Sequence, residues 1–389
     1  MFEEIKNLDN NYVSNTYNRF NVAFKCGKGS TLYDFNDKKY IDFSSGIGVN
    51  AFGVCDDVWS NAVIEQTKRL SHMSNLYYTL PQAQLAHLLC SKTGMKKVFF
   101  ANSGAEANEG AIKTARKYSH DKYNENRSEI ITLVNSFHGR TITTLKATGQ
   151  DVFHKNFYPF TEGFNYAIAN DIEDVKSKIN DKTCAIMMEL VQGEGGVLPL
   201  DKAFVKEVEK IAKEKDLLLI IDEVQTGNGR TGYLYAYQGF DINPDIVTTA
   251  KGIGGGLPLG AILFNEKTEK VLGFGDHATT FGGNPIVTAG AISIIERLTP
   301  EFLDAVKLKG EYISEYCKQI KNVVSVSGMG MMIGVKTTKN ARDIVSKCLE
   351  NGLVVLTAKD KIRFLPPLNI SATELEEGLK IFKKVVEEE

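Results

Sequence analysis

The chain has 389 residues, of which 43% are hydrophobic and 24% are charged, as in an ordinary soluble globular protein of two or three domains. Forty-six basic residues oppose 48 acidic ones, for a net charge of −2. This balance argues against nucleic acid or a membrane surface as the main partner, because both require a strongly basic face. A small-molecule ligand is favoured instead.

The cysteines and the amino terminus indicate the cellular compartment. No two of the six cysteines lie within four residues of each other, so they predict neither a metal site nor a disulfide framework. The segment Met1–Glu4 lacks the basic and apolar regions of a signal peptide, and no apolar run is long enough for a membrane span. We therefore expect a cytoplasmic protein.

The predicted elements begin with a hairpin formed by Thr31–Phe35 and Lys39–Phe43. Short apolar runs then alternate with amphipathic stretches, which predicts parallel strands joined by helices. The strands are expected at Lys97–Ala101, Glu129–Asn135, Cys184–Leu190, Leu217–Ile221, Asp245–Thr249 and Ala261–Phe264. Helices are expected near Ala105–Tyr118 and Lys202–Lys215, the second with apolar residues at helical spacing.

The pattern changes after Pro300 to a helix, two short strands, a helix, a strand and a terminal helix. We therefore predict an α/β protein whose large, mostly parallel sheet domain occupies residues 51–290. Residues 1–50 and 291–389 are predicted to form one smaller α+β domain from the two chain ends. Because open parallel sheets bind ligands outside the carboxyl ends of their strands, the segments after each strand are the candidate site.

The segment after the first sheet strand could bind an anion. A strand ends at Ala101 and a helix begins after the turn at Ser103 and Gly104. Ser103 and Glu106 have the spacing of a capping box, and the free N–H groups of a helix start attract phosphate. On this segment alone, a plain helix cap is the better interpretation.

Two carboxylates, Asp222 and Glu223, follow the strand Leu217–Ile221. A magnesium-binding Walker strand would need a matching phosphate-binding loop, which the chain lacks. The run Gly227–Gly232 matches G-x-G-x-x-G, but tyrosines follow it where a dinucleotide site needs a helix start rich in small residues. The third interpretation places Asp222 under a pyridine nitrogen, which it would keep protonated, with Val224 against the ring.

Lys251 lies where the strand Asp245–Thr249 meets the glycine-rich turn Gly252–Gly256. A lysine that contacts a phosphate would suit this position. The alternative is a lysine that forms a Schiff base, because a cationic cofactor and a dry pocket would lower its pKa and make it a usable base.

Four further side chains are weaker candidates. Phe137 follows a strand and could stack on a planar ring, although a core position is more common, and Arg140 could be either a surface charge or a carboxylate clamp. Glu189 ends an apolar strand, where a carboxylate is costly unless paired. Glu194 lies in a glycine loop, where it could simply be solvated.

Thr279 and Thr280 precede a glycine pair, which suits either a phosphate or an ordinary turn. The sequence contains no H-E-x-x-H, no G-x-S-x-G and no zinc-ribbon spacing. We therefore expect no metal and no serine-hydrolase site.

Taken in order, five segments resemble the class III aminotransferases, which belong to fold type I of the pyridoxal 5'-phosphate (PLP) enzymes. The segments are Asn102–Asn108, Phe137–Arg140, Asp222–Gly232, Thr248–Gly252 and Thr279–Pro285. The resemblance extends from about Tyr17 to the carboxyl terminus and is closest to the acetylornithine aminotransferases, on the residues around Lys251 and the tract Val49–Ala51. Relatives that use free ornithine tend to carry a tyrosine near Ile47, which this sequence lacks.

The resemblance implies PLP as the cofactor and indicates which residues would bind its phosphate. Gly104 and Ala105, beside Ser103, would bind the phosphate through backbone N–H groups. Thr280 would reach the phosphate held by the neighbouring subunit, so a homodimer with shared active sites is expected.

The resemblance also indicates which residues would contact the cofactor ring. Phe137 would stack on the pyridine ring, with Val224 also against it. Asp222 would pair with the ring nitrogen and Gln225 would reach the phenolic oxygen. Lys251 would hold the cofactor as a Schiff base and shuttle the proton between Cα and C4′.

Four residues are implied at the substrate. Arg363 would hold the α-carboxylate of glutamate by a bidentate contact, and Arg140 would hold the second carboxylate. Glu194 would neutralise Arg363 when the other amino donor is bound, since an unpaired buried arginine is costly. Thr279 would lie near the substrate.

The implied activity is transfer of the terminal amino group of N2-acetylornithine to 2-oxoglutarate, a step of arginine biosynthesis. Succinylornithine, succinyldiaminopimelate and 4-aminobutyrate are alternative donors, and an aminomutase on the same scaffold is a further alternative. A cofactor-free binding protein and a dehydrogenase rank lower, because Lys251 and Asp222 are both present. One departure from the family is Val54–Val58, which replaces the usual His-Pro after Gly53.

Overall fold

The computed structural model describes residues 1–123 and 127–388. The amino-terminal part contains α1 (Phe2–Tyr12), β1 (Phe24–Lys28), β2 (Thr31–Asp34), β3 (Lys39–Asp42) and the short α2 (Ser45–Gly48). The middle part contains α3 (Asp57–Arg69), α4 (Leu80–Thr93), β4 (Lys97–Ala101), α5 (Gly104–Tyr123), β5 (Glu129–Leu133), α6 (Ile142–Ala147), β6 (Phe164–Ala167), α7 (Ile172–Lys178), β7 (Thr183–Met188), β8 (Val191–Gln192), β9 (Leu198–Pro199), α8 (Lys202–Glu214), β10 (Leu218–Asp222), α9 (Ala236–Phe240), β11 (Ile246–Thr249), β12 (Gly260–Phe264) and α10 (Pro285–Ile295). The carboxyl-terminal part contains α11 (Pro300–Lys318), β13 (Val323–Met329), β14 (Met332–Thr337), α12 (Ala341–Glu350), β15 (Leu353–Val354), β16 (Leu356–Ala358), β17 (Lys361–Phe364) and α13 (Ala372–Glu388).

A seven-stranded sheet forms the centre of the molecule, in the order β4-β12-β11-β10-β7-β5-β6. The pairs within β11-β10-β7-β5-β6 are parallel, whereas β12 is antiparallel to both of its neighbours. The predicted α/β class with a mostly parallel sheet is confirmed. Every residue of β7 and β10 is buried, because helices cover both faces of such a sheet.

The edge strand β6 was not predicted from the sequence. Its four residues, Phe-Asn-Tyr-Ala, give too short and too mixed a pattern for periodicity to identify. Helix α8 agrees with prediction, and its buried residues lie on one face: Phe204, Val205, Val208, Glu209, Ile211 and Ala212. Packing of this apolar face against the sheet core is what holds the helix in place.

Residues from the two parts of the chain that flank the central sheet domain share a sheet. The predicted hairpin is formed by β2 and β3, and β15 adds to β3 in parallel through Leu353 opposite Ile41. A second sheet has the order β13-β14-β17-β16. Three short strands follow α12 where one was predicted, and the domain boundaries at residues 50 and 290 stay predictions. Among the described residues, no helix has the length and apolar character needed to cross a membrane.

Candidate active site

A cavity of about 440 Å³ opens at the carboxyl ends of β4, β5, β7, β10 and β11. It is lined by ten of the residues singled out in the sequence: Ser103, Gly104, Ala105, Phe137, Arg140, Glu189, Asp222, Val224, Gln225 and Lys251. These residues are far apart in the chain. They meet because the carboxyl ends of parallel strands lie along one edge of the sheet.

The start of α5 forms one wall of the cavity. Ser103 Oγ accepts a hydrogen bond from the Glu106 N–H at 3.2 Å. The reciprocal half of the predicted capping box is wrong, since the Glu106 carboxylate accepts from the backbone N–H of Asn102, at 2.6 Å. A Cβ at Gly104 would lie 2.7 Å from Val224 Cγ1, so only glycine lets the helix start approach that side chain.

Asp222 ends β10 at the floor of the cavity and is only 3% exposed. Its Oδ2 accepts from Asn108 Nδ2 and contacts His138 Nδ1, both at 2.8 Å, while Oδ1 accepts from the Val224 N–H at 3.0 Å. Such contacts offset much of the cost of burying a carboxylate. They also fix the direction in which the carboxylate faces the cavity.

Lys251 follows β11 and begins a single 3-10 turn, Lys251–Ile253. Its backbone is left-handed, with φ +49°, which is uncommon for a residue with a side chain and is often found at functional sites. Burial lowers the pKa of its amine, an effect that Arg363 reinforces and Glu194 opposes. The amine therefore gives up its proton more easily than that of an ordinary lysine.

Arg363 and Glu194 lie beside the cavity and are joined to it by Gln225. Arg363, on β17, is 3% exposed, and its Nη1 donates to Glu194 Oε1 at 2.5 Å and to Gln225 Oε1 at 3.1 Å. Arg363 Nε has no hydrogen-bond partner among the described residues. Burial alone would raise the pKa of Glu194, but the charge and hydrogen bond of Arg363, together with the Lys251 charge and the Gln225 hydrogen bond, hold that pKa below its usual range.

Arg140 lines the cavity itself and is held differently from Arg363. It is exposed and makes no hydrogen bond or ion pair within residues 1–123 and 127–388. Its guanidinium instead lies over two aromatic rings, with Cζ 5.5 Å from the Phe137 centroid and 4.2 Å from the Phe153 centroid.

Two residues to which the sequence assigned no role, Asn108 and His138, complete the site together with Glu189, which was a weaker candidate. Asn108 lies one helical turn after Gly104, on the same side of α5, a spacing that could have indicated it. Glu189 accepts from the Phe137 N–H at 2.8 Å and the Gly193 N–H at 3.3 Å. Burial raises its pKa to about 7, and the Asp222 charge adds to this effect.

Thr279 and Thr280 lie outside the cavity within one chain. They line a neighbouring groove of about 760 Å³. Thr279 Oγ1 accepts from Asn102 Nδ2 at 3.0 Å, which places it beside the start of α5, whereas Thr280 is exposed. The expected contact of Thr280 with a second subunit stays a prediction.

Comparisons with known proteins identify the family to which this cavity belongs. The family model described as aminotransferase class-III matches residues 12–386. Acetylornithine aminotransferase of Haemophilus ducreyi is 52% identical over 99% of both chains. N-acetylornithine aminotransferase from Stenotrophomonas maltophilia superposes with a TM-score of 0.84 at 32% identity over 98% of both chains. An ornithine aminotransferase from Toxoplasma gondii, described with partial occupancy of PLP at its active site, superposes with a TM-score of 0.94 at 29% identity, over 99% of this chain and 95% of its own. The chain belongs to the class-III aminotransferases.

Proposed function

We propose that this aminotransferase moves the terminal amino group of N2-acetylornithine to 2-oxoglutarate, giving N-acetylglutamate 5-semialdehyde and glutamate. Its close relatives carry the name of that activity at 41 to 52% identity over nearly the whole chain. The observation that carries the proposal is a pair of arginines held in different ways: Arg363 lies beside the cavity and is paired with Glu194, whereas Arg140 lines the cavity and has no acidic partner among the described residues. Such a cavity suits two substrates that differ in the charge near the reacting nitrogen.

The cofactor is PLP, which when bound supplies an electrophilic carbon and a ring that accepts electrons. The cavity fits it on two independent observations. The backbone N–H groups of Gly104 and Ala105 begin a long helix, where an anion is favoured. Asp222 is a buried carboxylate held toward the cavity by Asn108 and His138, which suits a protonated ring nitrogen.

The remaining contacts proposed for the cofactor come from the cavity walls. Phe137 and Val224 would pack against the ring, and the amide of Gln225 would reach its phenolic oxygen. Ser103 lies beside the phosphate end. The close approach of Gly104 to Val224 links the phosphate end of the cavity to the ring face.

Lys251 is the catalytic base of the proposal. Because burial lowers the pKa of its amine, Lys251 gives up its proton more readily than an ordinary lysine and can then act as a proton acceptor. It would take the proton from the substrate carbon that bears the reacting nitrogen and deliver it to the carbon on the other side of that nitrogen. The proposal is supported by the position of Lys251 after β11, where it lines the same cavity as Asp222 and Gln225.

The two substrates would share one site. When 2-oxoglutarate binds, Glu194 would leave Arg363, and the guanidinium would hold the α-carboxylate. When N2-acetylornithine binds through its terminal amine, no carboxylate lies there and Glu194 would stay on Arg363. Arg140 would hold the far carboxylate of either substrate, and Thr279 would lie nearby.

A homodimer with shared active sites is part of the proposal. Large apolar side chains are exposed in and beside the groove that Thr279 and Thr280 line, including Leu76 at 87%, Tyr78 at 106% and Phe281 at 61%. Patches of this kind mark interaction surfaces. Analytical ultracentrifugation should give twice the 43.0-kDa mass of the chain. We also propose a cytoplasmic location.

A single-turnover experiment tests the donor. The PLP-loaded enzyme is mixed with N2-acetylornithine alone, and the visible absorbance of the cofactor is followed. We expect the band to be lost and then restored by 2-oxoglutarate. Lys251→Ala should abolish the response, whereas Lys270→Ala, at a residue whose side chain is 84% exposed, should leave it intact.

Other results would change the proposal. If another ω-amine converts the band and N2-acetylornithine does not, the donor is wrong. If product forms from one substrate without any keto acid, the enzyme is an aminomutase. If no visible band appears after PLP is added, the cofactor assignment fails.

A further inference from the structure

The guanidinium of Arg140 is held by aromatic rings rather than by an acid. Its Cζ lies 4.2 Å from the centroid of Phe153 and 5.5 Å from that of Phe137. The two rings meet edge to face, with centroids 5.8 Å apart. Stacking over a ring face leaves the in-plane N–H donors of an arginine free, so Arg140 can still chelate a carboxylate.

Phe153 is fixed in relation to Arg140 by a network of backbone contacts. It ends the short 3-10 turn Asp151–Phe153, and its N–H donates to the Gln150 carbonyl at 3.1 Å. The Gln150 side chain in turn donates to the Ser136 carbonyl at 3.0 Å, immediately before Phe137. The turn that carries Phe153 is therefore tied to the loop that carries Arg140.

We propose that Phe153 is a positioning residue for Arg140 and sets the preference for substrates with a carboxylate at the end away from the reacting nitrogen. The proposal rests on the function proposed above and assigns a role outside the residues that touch substrate. Without the Phe153 ring, Arg140 has only the more distant Phe137 ring beside it. The Arg140 side chain would then sample more rotamers and would lose more conformational entropy on binding a carboxylate.

The test compares Phe153→Leu with Phe153→Tyr. The control is Phe157→Leu, the same substitution at a phenylalanine whose side chain is 52% exposed. Each variant is assayed with N2-acetylornithine, with 2-oxoglutarate, and with N-acetyl-1,4-diaminobutane, which is the donor without its carboxylate. The dissociation constant of glutarate, a five-carbon dicarboxylate, is measured by calorimetry on the PLP-loaded protein. This last readout does not depend on turnover.

For Phe153→Leu we expect KM for both carboxylate substrates, and the glutarate dissociation constant, to rise by about 3- to 10-fold, the range of one cation–π contact. The kcat values and the kinetics of N-acetyl-1,4-diaminobutane should not change. Phe153→Tyr should restore the wild-type values, and Phe157→Leu should match the wild type throughout.

Two results would overturn the proposal. One is an equal loss of activity with all three substrates, which would mean that Phe153 acts through the fold or through the Phe137 ring. The other is unchanged glutarate binding in Phe153→Leu. If N2-acetylornithine proves not to be a donor, the 2-oxoglutarate and glutarate measurements still decide the role of Phe153, so the two failures are distinguishable.

Discussion

Two arginines, one beside the cavity and one in its lining, are held by opposite means. Arg363 is 3% exposed and is paired with Glu194, with Gln225 as a second partner. Arg140 is exposed and lies on aromatic rings with no acidic partner among the described residues. A buried guanidinium needs a counter-charge, because desolvation would otherwise be too costly. An exposed guanidinium needs only a surface to lie on. Arg363 therefore depends on its pairing with Glu194, whereas Arg140 needs no acidic partner.

Removing Arg363 should have the largest effect. In Arg363→Ala, KM for 2-oxoglutarate should rise by roughly 100-fold or more, in the range for truncating a buried charge pair. The free energy of unfolding should also fall, because Glu194 loses its partner. Steady-state kinetics and urea denaturation measure the two effects. Arg363→Lys, which keeps the charge without the planar fork, should lie between; an unchanged KM in Arg363→Ala would remove this residue from the site.

Removing Arg140 should affect binding without affecting the fold. In Arg140→Ala, KM for both carboxylate substrates should rise by about 10- to 100-fold, the worth of hydrogen bonds to a charged group. The free energy of unfolding should change by less than about 0.5 kcal/mol, as for most exposed positions. Arg342→Ala, an exposed arginine on α12, is the control and should alter neither quantity. A large loss of stability would contradict the comparison.

Neutralising Glu194 should separate the two half-reactions. In Glu194→Gln, Arg363 is no longer held by an acid, so KM for 2-oxoglutarate should fall and KM for N2-acetylornithine should rise, each by about 3- to 10-fold. Equal changes for both substrates would argue against a switch.

The same pair predicts a pH dependence of stability. The folded-state pKa of Glu194 lies below its ordinary value, so its contribution is full at neutral pH and is lost as the pH falls through that pKa. The unfolding free energies of the wild type and Glu194→Gln should therefore differ at pH 7 and converge in acid. Chemical denaturation at several pH values would show this, and a constant difference would refute it.

A last effect, on stability alone, is expected at Glu189, which accepts hydrogen bonds from the Phe137 and Gly193 N–H groups. Its pKa is raised to about 7, mainly by burial. Between its ordinary pKa and pH 7 the folded protein keeps a proton that the unfolded chain releases, so stability falls as pH rises through this window. From pH 5 to 7.5, Glu189→Gln should gain about 1 to 2 kcal/mol relative to the wild type. Exposed Glu214→Gln should show no such gain.

Much of the fold and cavity could be predicted from the sequence because the strands are continuous apolar runs. Asp222 and Lys251 follow such runs directly, and the ends of parallel strands meet at one edge. The capping box was predicted only in part, because the Glu106 carboxylate accepts hydrogen bonds from the backbone N–H and the side-chain amide of Asn102 rather than from the backbone N–H of Ser103. Residue spacing alone could not decide between Asn102 and Ser103.

The sequence by itself determined the α/β class, which follows from local periodicity, and the order of the motifs, whose resemblance to class III aminotransferases indicated the family and implied that Glu194 neutralises Arg363. The tertiary structure alone decided how exposed each arginine is and what its guanidinium contacts. Glu194 and Arg363 are 169 residues apart and still meet, while Arg140 meets the Phe153 ring instead of an acid. Pairing depends on burial and on distances through space, and no local pattern of residues carries either quantity.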